Sequence, residues 1–357
     1  KYGEDRVCQV INFSYITPVV AIKDVGRVLG IPYYITDKIS KKFTYETWEE
    51  CIENNSDLYE TYADYKELFD IAGKLSGRIR QVSIHAGGVG IVDTKITDYM
   101  PMKLGSNNEH VIQVDKKIIE EIGIIKFDIL GVATLSIIQE IISNLNLDLY
   151  EININNPNFE NDQKTYELLQ KALTNGVFQV ETSGMKDLLL RLKPENLEDL
   201  SAVLALYRPD SMAMLEDYIY YKHNPSEIKY WHQDMELLLK KTYGCIIYQE
   251  EIMDIVRVFG GRTYGGADKF RKGIGKKDKE LVKQESNKLY EEIIQNNYPE
   301  LLAKQISDYL ALMGGYSFNK SHSALYAVIC LQTAYLKSHY PAHFFKALFN
   351  QNKNDYG

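Results

Sequence analysis

Residues 17–30 read TPVVAIKDVGRVLG, and Val20, Ala21, Val25, Val28 and Leu29 recur at the spacing of an amphipathic helix. Pro18 suits the first turn, Gly30 and Pro32 close the segment, and Lys23 and Arg27 lie on the polar face. Helical spacing returns over residues 47–54 and 57–75, where Tyr62, Tyr65, Phe69 and Ala72 share a stripe. These segments predict a small helical subdomain. After Ser76 the period changes: residues 89–92, 110–115 and 122–130 are short, rich in Val and Ile, and separated by the turn signals HAGG and GSNN, which predicts strands of one sheet. Within IGIIKFDILG, alternation puts Ile124, Lys126 and Asp128 on one face and Ile125, Phe127 and Ile129 on the other. A helix is predicted over 133–142, then a loop-rich connector over 143–161. Beyond it the pattern predicts helices over 163–173, 185–191, 196–206, 211–221, 249–259, 279–297, 299–312 and 323–338. The fold class is α+β.

The length of 357 residues predicts two or three domains. A composition of 45% hydrophobic and 25% charged residues, with no run of about twenty apolar residues, predicts a folded protein without a membrane span. The chain starts KYGEDRVCQV, without an initiator Met or a secretory signal, which predicts a piece of a longer or processed protein. Cys8, Cys51, Cys245 and Cys330 lie far apart and never at C-x-x-C spacing, so neither a disulfide framework nor a zinc knuckle is indicated and a cytoplasmic location fits. The formal charge of −8 excludes a uniformly basic surface. It does not exclude nucleic-acid binding, which needs only a local positive channel.

Three places could carry chemistry. Asp128, near a strand end beside Lys126, is rigid enough to be a Mg²⁺ ligand, though a solvated surface carboxylate fits the same pattern. The run GGADKFRKGIGKKDK gathers Lys269, Arg271, Lys272, Lys276 and Lys277 among glycines that permit close approach to a phosphate. It lacks Walker A spacing, and a solvated charged face is the competing reading. Around 314–341, Ser321 or Ser323 would cap a helix with an inward stripe of Leu325, Val328, Ile329, Gln332 and Leu336. Its start would offer backbone N–H groups to a phosphate beside Lys320 and His322. Tyr243, Tyr248 and Tyr264 are candidate stacking surfaces for a base, with ordinary core or surface placement as the default among 27 tyrosines.

The ordered segments KYGEDRVCQVINFSY, KDVGRVLG, IHAGGVGI, IIKFDILG, GVFQVETSGMKDLL, ALYRPDSM, TYGCIIYQEEIM, GGADKFRKGIGKK and GYSFNKSHSALYAV resemble, in the same order, segments of C-family replicative DNA polymerases. The resemblance covers nearly the whole chain. It implies a small mixed-sheet palm of nucleotidyltransferase type, interrupted by a helical thumb and followed by mostly helical fingers: palm over 1–14, thumb over 15–77, palm again over 78–131 and fingers over 132–357. It implies DNA synthesis on a primer-template from deoxynucleoside triphosphates with two Mg²⁺ ions, Asp128 holding metal and Lys126 beside the incoming triphosphate. Arg271, Lys272 and Lys269 then face phosphates together with Lys320 and His322; at Lys272 a point charge stands where the family commonly has a second arginine. Asn319, Ser321, Arg208, Lys276, Lys277, Lys23 and Arg27 become contacts to DNA or nucleotide. Asp210 and Ser211 stand where Gly-Pro is usual, so that turn is expected to differ. The family's remaining two metal ligands lie in an Asp-x-Asp strand upstream of the point matching Lys1. The expectation is therefore a chain inactive alone, completed by an N-terminal polymerase segment in cis or trans, with any sliding-clamp contact made by regions outside this sequence. A non-catalytic primer-template or nucleotide-binding module is the alternative.

Overall fold

The computed structural model describes residues 2–129, 131–208, 211–275 and 279–351. The chain divides into two compact units, Lys1–Gly131 and Val132–Gly357. Arg208 and the region from Arg271 to Gly275 are described, whereas Pro209, Asp210, Lys276 and Lys277 lie outside the described residues.

The first unit combines a sheet with a helical subdomain. Its strands are β1 (Val7–Tyr15), β2 (Ile79–Ile91), β3 (Met102–Leu104), β4 (His110–Ile112) and β5 (Ile125–Asp128), in the order β3-β4-β1-β2-β5. β1 runs parallel to β4 and antiparallel to β2, while β2–β5 and β3–β4 are antiparallel, so the sheet is mixed. Cys8, Val10, Ile112 and Ile124 bury one side against Ile96, Met100 and Ile119. Opposite the single residue Val10, β2 carries four, His85 to Gly88, because Gln9 pairs with Val89 and Ile11 with Ile84. Gly87 makes this wide bulge possible by adopting φ +76°.

Between β1 and β2 lie α1 (Pro18–Val28), α2 (Tyr33–Ser40), α3 (Trp48–Asn54), α4 (Asp57–Asp64) and α5 (Lys66–Leu75). The stretch expected as one helix over 57–75 breaks at Tyr65, whose φ of −128° and ψ of 42° leave the helical region. Thr17 accepts a hydrogen bond from the Val20 N–H and Pro18 occupies the first turn of α1, as the sequence indicates. Ala21, Ile22, Val25, Leu68, Phe69 and Ala72 form the core of this subdomain. A short helix, α6 (Lys116–Glu121), lies between the strands expected at 110–115 and 122–130, and the latter is confined to β5.

The second unit is helical: α7 (Ala133–Leu145), α8 (Pro157–Glu160), α9 (Gln163–Gln170), α10 (Ser183–Leu192), α11 (Leu197–Leu206), α12 (Met212–His223), α13 (Gln233–Leu239), α14 (Gln249–Gly260), α15 (Tyr264–Gly275), α16 (Lys279–Gln295), α17 (Glu300–Met313), α18 (Lys320–His339) and α19 (Pro341–Gln351). One core joins α7, α9, α10, α11 and α18 through residues such as Ile141, Leu169, Leu189, Val203 and Leu331. A second joins α13 to α17 through Ile252, Phe259, Phe270, Leu289 and Ile306. Between α11 and α12, Asp199 and Lys222 form a buried ion pair of 2.9 Å, and Tyr218 and Tyr243 donate their hydroxyls to the same carboxylate. Among the described residues no helix is long and apolar enough to cross a membrane.

Candidate functional site

In the first unit the chemistry centres on the end of β5. Lys126 and Asp128 share a face as alternation requires, and the lysine Nζ lies 2.6 and 2.7 Å from the two carboxylate oxygens. The lysine side chain is 13% exposed and the aspartate 52%, so the pair has a covered cationic end and an open anionic one. Asp128 pairs with Gly88, and the next residue, Ile129, donates its N–H to Gly87 O at 2.7 Å. The β2 bulge therefore fixes the backbone on both sides of the carboxylate. On the opposite face Ile125, Phe127 and Ile129 are exposed.

Lys23 and Arg27 have local partners. Lys23 pairs with Asp37 at 2.8 Å, and Lys41 reaches the same carboxylate, which these two ammonium groups hold low at about 2. Arg27 and Arg80 share Asp24. A DNA contact at either position would compete with these pairs.

In the second unit, two segments far apart in sequence meet. Phe318 donates its N–H to Ile247 O and Gln249 donates to Phe318 O, a parallel bridge just before α14 and α18 begin. Several candidates gather on it. Arg208 lies 4.5 Å over the Phe318 ring and donates to Tyr316 O and to the Ser211 hydroxyl. Arg271 donates to Gln249 Oε1 at 3.1 Å and, through Nε and Nη2, to Asp268. Lys320 places its ammonium 5.2 Å from the Tyr248 ring centre, and the His322 ring stacks at 4.3 Å on Tyr326.

The start of α18 is built differently from the sequence expectation. Asn319 is the cap, accepting from the His322 N–H at 2.9 Å, so neither Ser321 nor Ser323 serves. Ser321 is exposed; Ser323 is buried and bonds the Ser201 hydroxyl, which also accepts from Tyr248. Glu250 accepts from the Lys320 N–H and from the Asn319 side chain, so a protein carboxylate already takes an N–H proposed for phosphate. The inward stripe is also rotated: Leu325 is 67% exposed, while Ala327, Cys330, Leu331 and Ala334 are buried. Leu336 is buried as expected.

Residues 265–275 of the glycine-bearing basic run lie in helix α15. Ala267, Phe270, Gly273 and Ile274 turn inward on α15, leaving Lys269 and Lys272 exposed. Asp268 sits one turn before Arg271 and Lys272 and pairs with both; these two cations hold its carboxyl below the usual range, Lys272 foremost. Of the tyrosines, Tyr248 is buried and Tyr243 half-buried, whereas exposed Tyr264 stacks with Arg257 at 3.4 Å. Gln249, Glu250 and Asp268 organise this region and had no role in the sequence reading. The acidic pair in the first turn of α14 and the i, i+3, i+4 spacing from Asp268 were the available signals.

Glu251 is buried beside the bridge and accepts from the N–H groups of Ile247 and Tyr248 at 2.8 and 2.9 Å. Burial pushes its carboxyl up to about 7 despite those bonds. Burial likewise raises the Tyr248 hydroxyl. Among the described residues no group of three or more His, Cys, Asp or Glu stands where it could hold a metal ion.

Two families match the chain. The bacterial DNA polymerase III alpha NTPase domain covers residues 1–131, and the bacterial DNA polymerase III alpha subunit finger domain covers residues 134–297. The DNA polymerase III subunit alpha of Buchnera aphidicola subsp. Acyrthosiphon pisum is 42% identical over 97% of this chain and 31% of its own length. That of Escherichia coli K12 is 39% identical over 99% and 32%, and that of Ureaplasma parvum 36% over 98% and 36%. The chain thus spans about a third of the length of these curated relatives. With its sheet unit and its helical unit each matching a domain of that subunit, the chain belongs to the bacterial DNA polymerase III alpha-subunit family.

Proposed function

We propose that this chain serves template-directed DNA synthesis as part of a larger or split polymerase, with the first unit supplying a catalytic carboxylate and the second binding phosphates of nucleotide and DNA. The observation that carries the reading is the convergence of Arg208, Arg271, Lys320 and His322 on the Ile247–Gln249 and Phe318 bridge, from segments up to about a hundred residues apart. A solvated charged face requires no such gathering.

Asp128 fits a metal ion as one anionic oxygen donor, and two bridging ions need more than one. In this reading, further carboxylates come from outside the described residues, and the chain does not extend a primer by itself. The chemistry Mg²⁺ supplies in such a reaction is Lewis-acid stabilisation of the attacking and leaving oxygens. Lys126 holds Asp128 in place and releases an oxygen when the carboxylate acquires another partner. Its ammonium then offsets triphosphate charge. Arg271, with its plane fixed by Asp268 and Gln249, presents an oriented guanidinium, and Lys272 adds a mobile point charge.

Photo-crosslinking with a deoxynucleoside triphosphate carrying an azide on its γ-phosphate, in the presence of primer-template, tests the phosphate assignment. Adducts within 264–275 or 319–322 are expected, and competition by unmodified triphosphate should remove them. Adducts confined to other segments would refute it.

A further inference from the structure

The helical subdomain of the first unit contains a groove among α3, α4 and α5 that nucleotide chemistry does not explain. Its volume is ≈ 450 Å³, and Trp48, Tyr59, Tyr62 and Phe69 line it together with the acids Glu49 and Asp70 and a single cation, Lys74. The aromatic walls are fixed. Buried Phe69 meets Trp48 and Tyr62 edge-on at 5.9 and 5.8 Å, and Tyr62 donates its hydroxyl to Asp70 at 2.9 Å. The Trp48 indole lies against Gly73, where an added Cβ would come within 2.9 Å of Nε1. Thr47 and Glu50 close a capping box that holds the start of α3. Yet Tyr59 is 64% exposed, an apolar ring left without cover.

The charge around this groove selects the occupant. Between positions 46 and 74, the span that holds every lining residue, there are nine acidic residues against two lysines, a local balance of −7. All nine are exposed. Phosphate is repelled by such a surface, whereas a cationic side chain gains from the acids and from the ring faces together. Lysine and arginine also bury their methylene stems along apolar walls while their charged heads stay at a polar rim.

We propose that this groove docks a short basic segment of a partner protein, with a Lys or Arg stem laid along Trp48 and Tyr62 and an adjacent apolar side chain over the uncovered Tyr59 ring. Asp70 and Glu49 receive the cationic head. This does not depend on the polymerase reading.

The test uses the full 357-residue chain carrying Trp231→Phe, which leaves Trp48 as its sole tryptophan. The probes are a peptide alternating Arg and Leu, a counterpart with Glu for Arg, a counterpart with Ser for Leu, and a single-stranded oligonucleotide. Saturable binding of the Arg-Leu peptide should shift Trp48 emission, with each counterpart peptide weaker by about tenfold or more and the oligonucleotide silent. Glu49→Gln with Asp70→Asn should weaken the peptide by roughly fivefold and flatten its salt dependence, Tyr62→Ala should weaken it comparably, and Glu291→Gln in the second unit should change nothing. Circular dichroism confirms that each variant is folded. Equal binding of the three peptides, or insensitivity to the groove variants, would overturn the proposal. So would an oligonucleotide that displaces the peptide, which assigns the groove to nucleic acid, or a Trp48 shift that follows protein concentration without peptide, which assigns it to a second copy.

Discussion

Replacing Asp268 by Asn isolates the one anion within the basic face of α15. Its Oδ1 accepts Arg271 at 3.0 and 2.7 Å, and its Oδ2 pairs with Lys272 at 2.8 Å. Three cations, Lys269, Arg271 and Lys272, thus act with a net local charge of two, because Lys272 and Arg271 hold the Asp268 carboxyl below its usual range. Each phosphate neutralised on a single strand contributes about 0.7 to the slope of log affinity against log salt. Asp268→Asn restores one positive charge, so the slope should steepen by about 0.7 and affinity at low salt should rise roughly threefold to tenfold. The gain should vanish at high salt. Arg271 keeps Gln249 as a partner, and Asn can still accept one of its hydrogen bonds, so the helix should remain intact. The assay is fluorescence anisotropy of a labelled oligothymidylate over a potassium chloride series, with circular dichroism to confirm folding. Unchanged affinity and slope would show that this face meets no phosphate. Weaker binding would show that Asp268 orients Arg271 more than it competes for it.

Two stability predictions follow from buried groups in the second unit. Lys222→Met leaves Asp199 buried without its cation but with donors from Glu195 N, Tyr218 and Tyr243, so it should destabilise by about 3 kcal/mol, and adding Asp199→Asn should recover at least about 1 kcal/mol; additive losses in urea unfolding would contradict the pair's coupling. Glu251 titrates near 7 in the folded chain against 4.5 for a free glutamate, so between those values the unfolded state has lost a proton that the folded state keeps, and stability should fall as pH rises through that window, by on the order of 3 kcal/mol in all. Glu251→Gln should abolish that slope in urea midpoints measured at about pH 5 and about pH 7.5, and a slope that persists would assign it elsewhere.

Much of the fold was legible where one physical signal dominated. Thr17 and Pro18 mark the start of α1, and the alternation through Lys126 and Asp128 places both on one face of β5. β1 escaped notice because Gln9, Asn12 and Ser14 interrupt its apolar positions, which only pairing with β2 and β4 organises. No helix was expected over residues 265–275, where four glycines weaken the pattern, but Ala267, Phe270 and Ile274 bury enough surface on α15 to override their helix cost. The rotated stripe of α18 has a similar origin: small residues such as Ala327 and Ala334 let α11 and α18 pack closely, so they, rather than Leu325, face the core. Ser321 looked like a cap, but Asn319 is an equally good one, and Glu250 fixes the start there through an interaction spanning about seventy residues. That is why the basic candidates could be named from sequence while their junction could not.

Primer extension tests the central claim most directly. The isolated chain, the chain supplemented with the upstream segment of a relative in cis or as a partner, and the supplemented chain with Asp128→Ala are compared with Mg²⁺ and all four deoxynucleoside triphosphates. No extension is expected from the first, extension from the second, and loss of extension with retained primer-template affinity from the third, since removing a metal-binding carboxylate should cost well over a hundredfold in rate. Extension by the purified isolated chain, or undiminished synthesis by Asp128→Ala, would contradict the account.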